Sequence, residues 1–219
     1  MEGIIFKIAD YKETSKILTI LTPNGIETVI ARGCKKMNSS LLFLCQTYNR
    51  ISYVRSEKSM YSLIEGSIID SNESIKLNFK KNQALSLIFK HINLVNEYNE
   101  TFYMFMLKVI EALKFIDEKS LYMMFKVKML YFLGINPQFQ CGCGNKDSLI
   151  NFDVHNGLAI CNKCTLVNRV NLVKIIYNLY YDKKFSVILD KKEYDEIFDF
   201  ITEYYYIHLN VKIKGEEFL

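Results

Sequence analysis

The chain has 219 residues, half of them hydrophobic, enough to bury one large core or two to three small ones and too apolar for a disordered chain. No apolar run approaches the length of a bilayer span and Met1-Glu2-Gly3-Ile4 places no basic region ahead of a hydrophobic one, so a cytosolic protein is expected. A net charge of +4 says little about partners, but its distribution does: between Glu27 and Glu57 there is no acidic residue, while Arg32, Lys35, Lys36, Arg50 and Arg55 all fall there, a candidate anion-binding stretch.

The segment to about Asn78 reads as strands. Ile4 to Ile8 is short and apolar, Ile17 to Thr22 alternates, and Pro23-Asn24-Gly25 turns the chain into Ile26 to Arg32, which predicts a hairpin. A polar stretch, Cys34 to Ser40, follows Gly33, and further strands are expected at Asn49 to Arg55 and Met60 to Ile69. Five short strands in so few residues suit a small closed barrel, of which the OB-fold is the common ligand-binding example.

From Lys80 the hydrophobic period lengthens to that of a helix. Leu85, Ile88, Phe89, Ile92 and Val95 share one face, Phe102, Phe105, Met106, Val109 and Leu113 a second, and Tyr122, Phe125, Met129, Phe132 and Leu133 a third. Gly134 and Pro137 stop the third helix. Helical period returns in Leu166 to Tyr181 and again after Asp190, where Asp190 and Glu193 form a candidate capping box ahead of the stripe Tyr194, Ile197, Phe198, Ile201 and Tyr205. Core packing is the expected use of these stripes, including Tyr103 to Met106 and Tyr122 to Met124, whose methionines would otherwise suit a peptide groove. The expected fold class is therefore α+β: an N-terminal five-stranded OB-fold barrel over 1–78, then an all-helical domain over 79–219 with an inserted four-cysteine zinc ribbon at about 139–166.

That ribbon rests on Cys141-Gly142-Cys143-Gly144 and Cys161-Asn162-Lys163-Cys164. Zinc takes four thiolates tetrahedrally, and two tight turns each offer a sulfur pair while the chain between them forms a hairpin. The first pair is spaced Cys-x-Cys instead of the common Cys-x-x-Cys, so its turn is tighter. A disulfide pair and four buried thiols are the rival readings; Cys34 and Cys45 lie in apolar or basic surroundings, and His155 in the loop is left outside the site. A four-sulfur zinc site leaves no position for water or substrate, so the expected zinc is structural.

Catalytic machinery is missing. There is no Gly-rich loop ending in Gly-Lys-Ser or Gly-Lys-Thr and no His-Glu-x-x-His, His91, His155 and His208 are far apart in sequence, and Asp195, Glu196 and Asp199 fit the wet face of the last helix. The expectation is a protein that is not an enzyme. An OB-like barrel binds single strands by laying phosphates along a positive groove and stacking bases on aromatics. Arg32, Lys35 and Lys36 follow the third strand, and Tyr48, Arg50, Tyr53 and Arg55 alternate along the fourth, supplying both kinds of contact. The competing class is a zinc-stabilised helical scaffold for protein interaction, without direct DNA binding.

Several local patterns occur in a telling order. They are Lys16-Ile17-Leu18-Thr19-Ile20-Leu21-Thr22 with Gly25, Ala31-Arg32-Gly33 with Lys35, Lys36 and Ser39, Leu44 to Tyr48, Phe125 to Leu130, Leu133-Gly134-Ile135-Asn136-Pro137, the cysteine pairs with Gly157 between them, His208-Leu209 and Phe218-Leu219. This order resembles the bacterial recombination mediators of the RecO family over nearly the whole chain. The resemblance implies a non-enzymatic DNA repair protein that binds single- and double-stranded DNA, anneals complementary strands and, with RecR, helps RecA replace single-strand-binding protein. It also implies an apolar pocket in the helical domain for the acidic C-terminal tail of that protein, with basic edge residues to be sought among Lys108, Lys126, Lys128 and Arg169. Carried over residue by residue, it assigns Arg32, Lys35 and Lys36 to DNA and Cys141, Cys143, Cys161 and Cys164 to zinc.

Overall fold

A computed structural model describes residues 1–57 and 61–219. By its contacts the chain divides into two compact units, Met1–Leu77 with Glu97–Lys108, and Asn78–Asn96 with Val109–Leu219.

In the first unit β1 (Glu2–Tyr11), β2 (Ser15–Thr22), β3 (Gly25–Ala31), β4 (Arg50–Arg55) and β5 (Leu63–Asp70) form one sheet in the order β3-β2-β1-β4-β5. The expected fifth strand began at Met60, which lies outside the described residues. Neighbours in the sheet are antiparallel, and its two edges meet where Ile30 bridges Ser62 in parallel, the Ile30 amide donating to the Tyr61 carbonyl at 2.9 Å. Closure removes the edges that an open sheet would expose and gives the five-stranded barrel of an OB-fold. The long β1 makes this possible: Glu2 to Ile4 pair with β4, while Ile4 to Tyr11 pair with β2, with a bulge between Ile5 and Lys7. Gly3 permits the close crossing, since a Cβ there would meet Ile20 Cγ2 at 2.5 Å and the Leu21 carbonyl at 2.7 Å.

Alternation along the strands turns Ile5, Leu18, Ile20, Val29, Ile51 and Leu63 into one core, and the β3–β4 connection plugs it with Cys34, Leu41, Leu44 and Cys45. Burial pushes the Cys45 thiol up to about 12, with Cys34 beside it adding to the shift, so these cysteines behave as packing groups. A single helical turn, α1 (Glu73–Lys76), follows the barrel.

The helical region contains α2 (Phe79–Lys90), α3 (Glu100–Leu113), α4 (Glu118–Phe132), α5 (Val170–Tyr181) and α6 (Lys191–Leu209). The first stripe runs past α2 into a 3-10 turn, His91–Leu94, and α5 starts later than its apolar pattern because Leu166 and Val167 are exposed. Residues 100–108 of α3 group with the barrel unit, whereas a boundary at 78 assigned the whole helix to the second. Asp190 and Glu193 do form a reciprocal capping box at the start of α6, satisfying two amides that the helix leaves unpaired. Met106, Met123 and Met124 are buried in the core, whereas Met104, also expected to pack there, is exposed.

The second unit also buries charge. The Lys126 ammonium, 1% exposed, contacts the Glu216 carboxylate at 2.8 Å, Tyr122 donates its hydroxyl to the same carboxylate, and Tyr205 donates to the Lys126 carbonyl at 3.1 Å. Beside this network His91 donates its Nδ1–H to the Leu87 carbonyl, 2.9 Å away, while its buried Nε2 has no hydrogen-bond partner among the described residues. Among the described residues no helix is long and apolar enough to cross a membrane.

Candidate metal centre and nucleic-acid interface

The cysteines sit on a two-stranded ribbon, β6 (Leu149–Asp153) and β7 (Leu158–Cys161), paired antiparallel. Each cysteine pair is wound by its own backbone: the Gly144 amide donates to the Cys141 carbonyl at 2.8 Å, and the Cys164 amide to the Cys161 carbonyl at 3.0 Å. Gly144, at φ +88°, supplies the left-handed turn that the short Cys-x-Cys spacing needs. Within the second unit the ribbon is fixed to α6. Phe152 meets Phe200 edge-on at 5.1 Å, His208 contacts the Val154 carbonyl at 2.8 Å, and Gly157 leaves room for the Tyr204 hydroxyl, which would lie 2.6 Å from a Cβ.

The Sγ atoms of Cys141, Cys143, Cys161 and Cys164 all lie within 4.8 Å of one another, with Cys143 and Cys161 3.6 Å apart. Four sulfurs about 2.3 Å from one tetrahedral zinc stand about 3.8 Å from each other, so the set fits such an ion. The tight first pair does not prevent convergence. The amide of Cys143, then that of Cys161, holds the Cys141 thiol below its ordinary range. Burial works against the Cys161 thiolate, yet the Lys163 amide and the sulfurs of Cys143 and Cys141 bring it to about 6, whereas hydrogen bonds to Cys143, Cys141 and Cys161 push Cys164 up to about 12. A cluster that shares its protons in this way becomes wholly thiolate against a cation. His155 is exposed and stands outside the cluster.

The candidate DNA contacts divide sharply. Arg32 and Lys36 are exposed and have no ion pair among the described residues; Arg32 Nε donates to Ser62 Oγ at 3.2 Å. Lys35 is drawn to Asp10 at 3.2 Å. Arg50 is tied to Glu2 at 2.8 Å, and Tyr103 donates to the same carboxylate at 2.9 Å. Arg55 is tied to Glu27 at 3.0 Å and lies over the Tyr61 ring, 3.5 Å from its centroid.

Base stacking on Tyr53 needs correction. Its ring is only 1% exposed, part of the barrel core, and its hydroxyl donates to Glu27 at 2.9 Å. Tyr53 and Arg55 do share a face, but that face closes on Glu27 and is not presented to a ligand. Tyr48 is half-buried at φ +68°, with its amide on the Ile5 carbonyl at 2.6 Å and its carbonyl accepting from Asn72 at 2.7 Å, so it anchors the entry to β4. Of the cations proposed for a pocket edge, Lys126 is also corrected, being buried against Glu216. Lys128 donates to the Tyr180 carbonyl at 3.0 Å, its pKa lowered to about 8 by burial, and Arg169 reaches Glu196 at 3.5 Å. Two further lysines line a groove of the barrel, Lys16 on β2 and Lys76 in α1, and neither was among the residues expected to contact DNA; Lys16 stands inside an alternating apolar strand, where it reads as an ordinary outward residue.

A closed OB-fold barrel, helices and a tetrathiolate ribbon define a class of multi-unit proteins built on an oligonucleotide-binding fold. A sequence model described as "Recombination protein O N terminal" matches residues 1–72, the barrel and the residues just after it. The chain is 29% identical to the DNA repair protein RecO of Bacillus pumilus over 74% of this chain and 67% of that protein. It is 27% identical to that of a Thermoanaerobacter species and 25% to that of Bacillus subtilis, over the whole of this chain and 95% and 92% of theirs. The barrel thus matches the N-terminal model of the RecO family, and the chain is similar along its whole length to proteins of that name.

Proposed function

We propose that the chain acts in DNA repair as a non-enzymatic mediator that binds single- and double-stranded DNA, anneals complementary strands and, with RecR, promotes RecA loading onto DNA covered by single-strand-binding protein. The observation that carries this reading is the match of the OB-fold barrel to the RecO N-terminal family, together with relatives named DNA repair protein RecO along the full chain. Arg32 and Lys36, the two cations of the candidate DNA set without a carboxylate partner among the described residues, supply the electrostatic grip. Two like-charged strands repel, and a basic surface that holds one with its bases accessible lowers the cost of approach of the second. The metal in this reading is zinc, held by the four cysteines and structural, because four protein ligands close its coordination.

Fluorescence-detected annealing of complementary oligonucleotides, with and without single-strand-binding protein, tests activity and partnership together. Arg32→Ala/Lys36→Ala is expected to slow annealing several-fold at low salt; an undiminished rate would remove these residues from the interface. One observation favours the scaffold reading: Lys35, Arg50 and Arg55 are each engaged by an acidic side chain. That reading predicts oligonucleotide affinity too weak to measure at any salt concentration.

A further inference from the structure

The strand register places charge where a barrel would continue its core. Leu18 stands opposite Ile8 on β1 and Val29 on β3; two residues away along the strand, Lys16 stands opposite Asp10 and Ala31. Directly opposed residues share a face of the sheet, so Lys16 and Asp10 extend the inner row of Leu18, Val29 and Ala31 to one mouth of the barrel. A groove of about 680 Å³ opens there, its polar lining made by Asp10, Lys16, Gln46, Thr47 and Lys76. This volume falls within the roughly 300–1,000 Å³ of ligand sites.

Two ammonium groups in this groove are oriented without being neutralised. Lys16 Nζ donates to the Cys45 carbonyl at 3.1 Å and Lys76 Nζ to Asn49 Oδ1 at 2.5 Å. Asn49 is itself buried and fixed by bonds from its Nδ2 to the carbonyls of Phe43, at 2.9 Å, and Leu44, at 3.1 Å. An ammonium has three donors, so each lysine keeps two for a ligand. Neither forms an ion pair among the described residues, although Asp70 and Glu73 act on Lys76 through space and offset part of the desolvation that lowers its pKa. The carboxylate in the lining, Asp10, is already engaged by Lys35.

The start of the β3–β4 connection reaches the same mouth. The Lys35 amide donates to the Thr14 carbonyl at 2.9 Å, and the Gly33 amide to Ser15 Oγ at 3.1 Å, so the start of the β3–β4 connection lies along the β1–β2 turn beside Lys16. Lys35 therefore stands at the edge of the groove on Asp10, with Lys36 next to it in the chain, whereas Arg32 is turned to Ser62. A second groove on the barrel, lined by Ile17, Asn24, Ile26, Thr28, Ile30 and Tyr61 with Glu27, has no basic residue in its lining among the described residues.

We propose that the barrel-mouth groove binds the phosphodiester backbone of a nucleic-acid strand, with Lys16 and Lys76 contacting phosphates and Gln46 and Thr47 serving as neutral donors. This deepens the DNA-binding reading and rests on it. Binding of a labelled oligothymidylate to the intact chain, measured across salt concentrations, provides the test. For Lys16→Ala/Lys76→Ala the slope of log affinity against log salt is expected to fall by about 1.4, the contribution of two phosphates on a single strand. Asp10→Asn is expected to tighten binding, a gain that misfolding cannot imitate. If both variants bind like the wild type while Arg32→Ala/Lys36→Ala binds less tightly, the groove proposal is wrong and the DNA reading survives. A wild type that binds no oligonucleotide overturns both. Inorganic phosphate competing as well as unlabelled oligonucleotide, at equal phosphate, would overturn the strand assignment in favour of a small-anion site.

Discussion

At the scale of single residues, burial decides what a titratable side chain does. His91 is enclosed by the rings of Tyr122, Phe125 and Tyr205, with Lys126 and Lys90 as the nearby charges. Burial, opposed by the bond to the Leu87 carbonyl and reinforced by the two lysines, brings its pKa down to about 3. An unfolded histidine titrates near 6.5, so between those values the unfolded chain carries the extra proton and stability rises with pH. The contribution of neutral His91 is fully present above about pH 6.5 and is lost as pH falls toward 3, at up to about 1.4 kcal/mol per pH unit. Urea unfolding of the wild type and of His91→Leu from about pH 7 to about pH 5 should show a shallower loss in the variant. Because other groups titrate equally in both proteins, parallel curves would exclude His91 as the source. The same scale explains why the candidate nucleic-acid residues were only partly legible in the sequence. Arg50 and Glu2 are 48 positions apart and Arg55 and Glu27 are 28 apart, so a stretch without acids between Glu27 and Glu57 still receives its counter-charges from outside or from its border once the barrel closes.

At the scale of elements, local chemistry was a better guide. The Pro23-Asn24-Gly25 turn, the alternation in β2 and the Asp190–Glu193 capping box act between near neighbours, and each is found where its residues call for it. The cysteine spacing likewise located the thiol cluster, because two tight turns and a hairpin suffice to bring the sulfurs together. Barrel closure between β3 and β5 and the attachment of the ribbon to α6 depend on contacts distant in sequence, which no periodicity encodes. Gly157 shows the difference. It is needed both for φ +67° and for the Tyr204 hydroxyl packed against it, whereas Gly134, at φ +71°, has nothing within 4 Å of a would-be Cβ. Both Gly→Ala changes incur left-handed strain of about 1 kcal/mol, and Gly157→Ala adds a steric clash worth about 1–3 kcal/mol. Thermal melts should therefore show Gly157→Ala well below Gly134→Ala; equal melting temperatures would mean that Tyr204 moves aside freely.

At the scale of the whole molecule, the thiol cluster and the barrel cations belong to different compact units, Cys141, Cys143, Cys161 and Cys164 to one and Lys16, Arg32, Lys36 and Lys76 to the other. Chemistry at the first can therefore be altered without touching a charge at the second. Removing a structural metal leaves four thiols without a common centre, and the ribbon loses the binding free energy that favours its folded form. Treatment with a strong chelator, or the substitution Cys161→Ser, is expected to release about one metal ion per chain and to lower the melting temperature of the helical unit. Oligonucleotide affinity and its salt dependence at a temperature below that melt should stay close to wild type, because the proposed phosphate contacts are electrostatic and lie on the barrel. Elemental analysis of the purified wild type, calorimetry and anisotropy titration on the same samples check the three parts of this outcome. Finding no metal in the wild type would refute a structural zinc, and losing DNA affinity in step with the metal would show that the two units do not act separately.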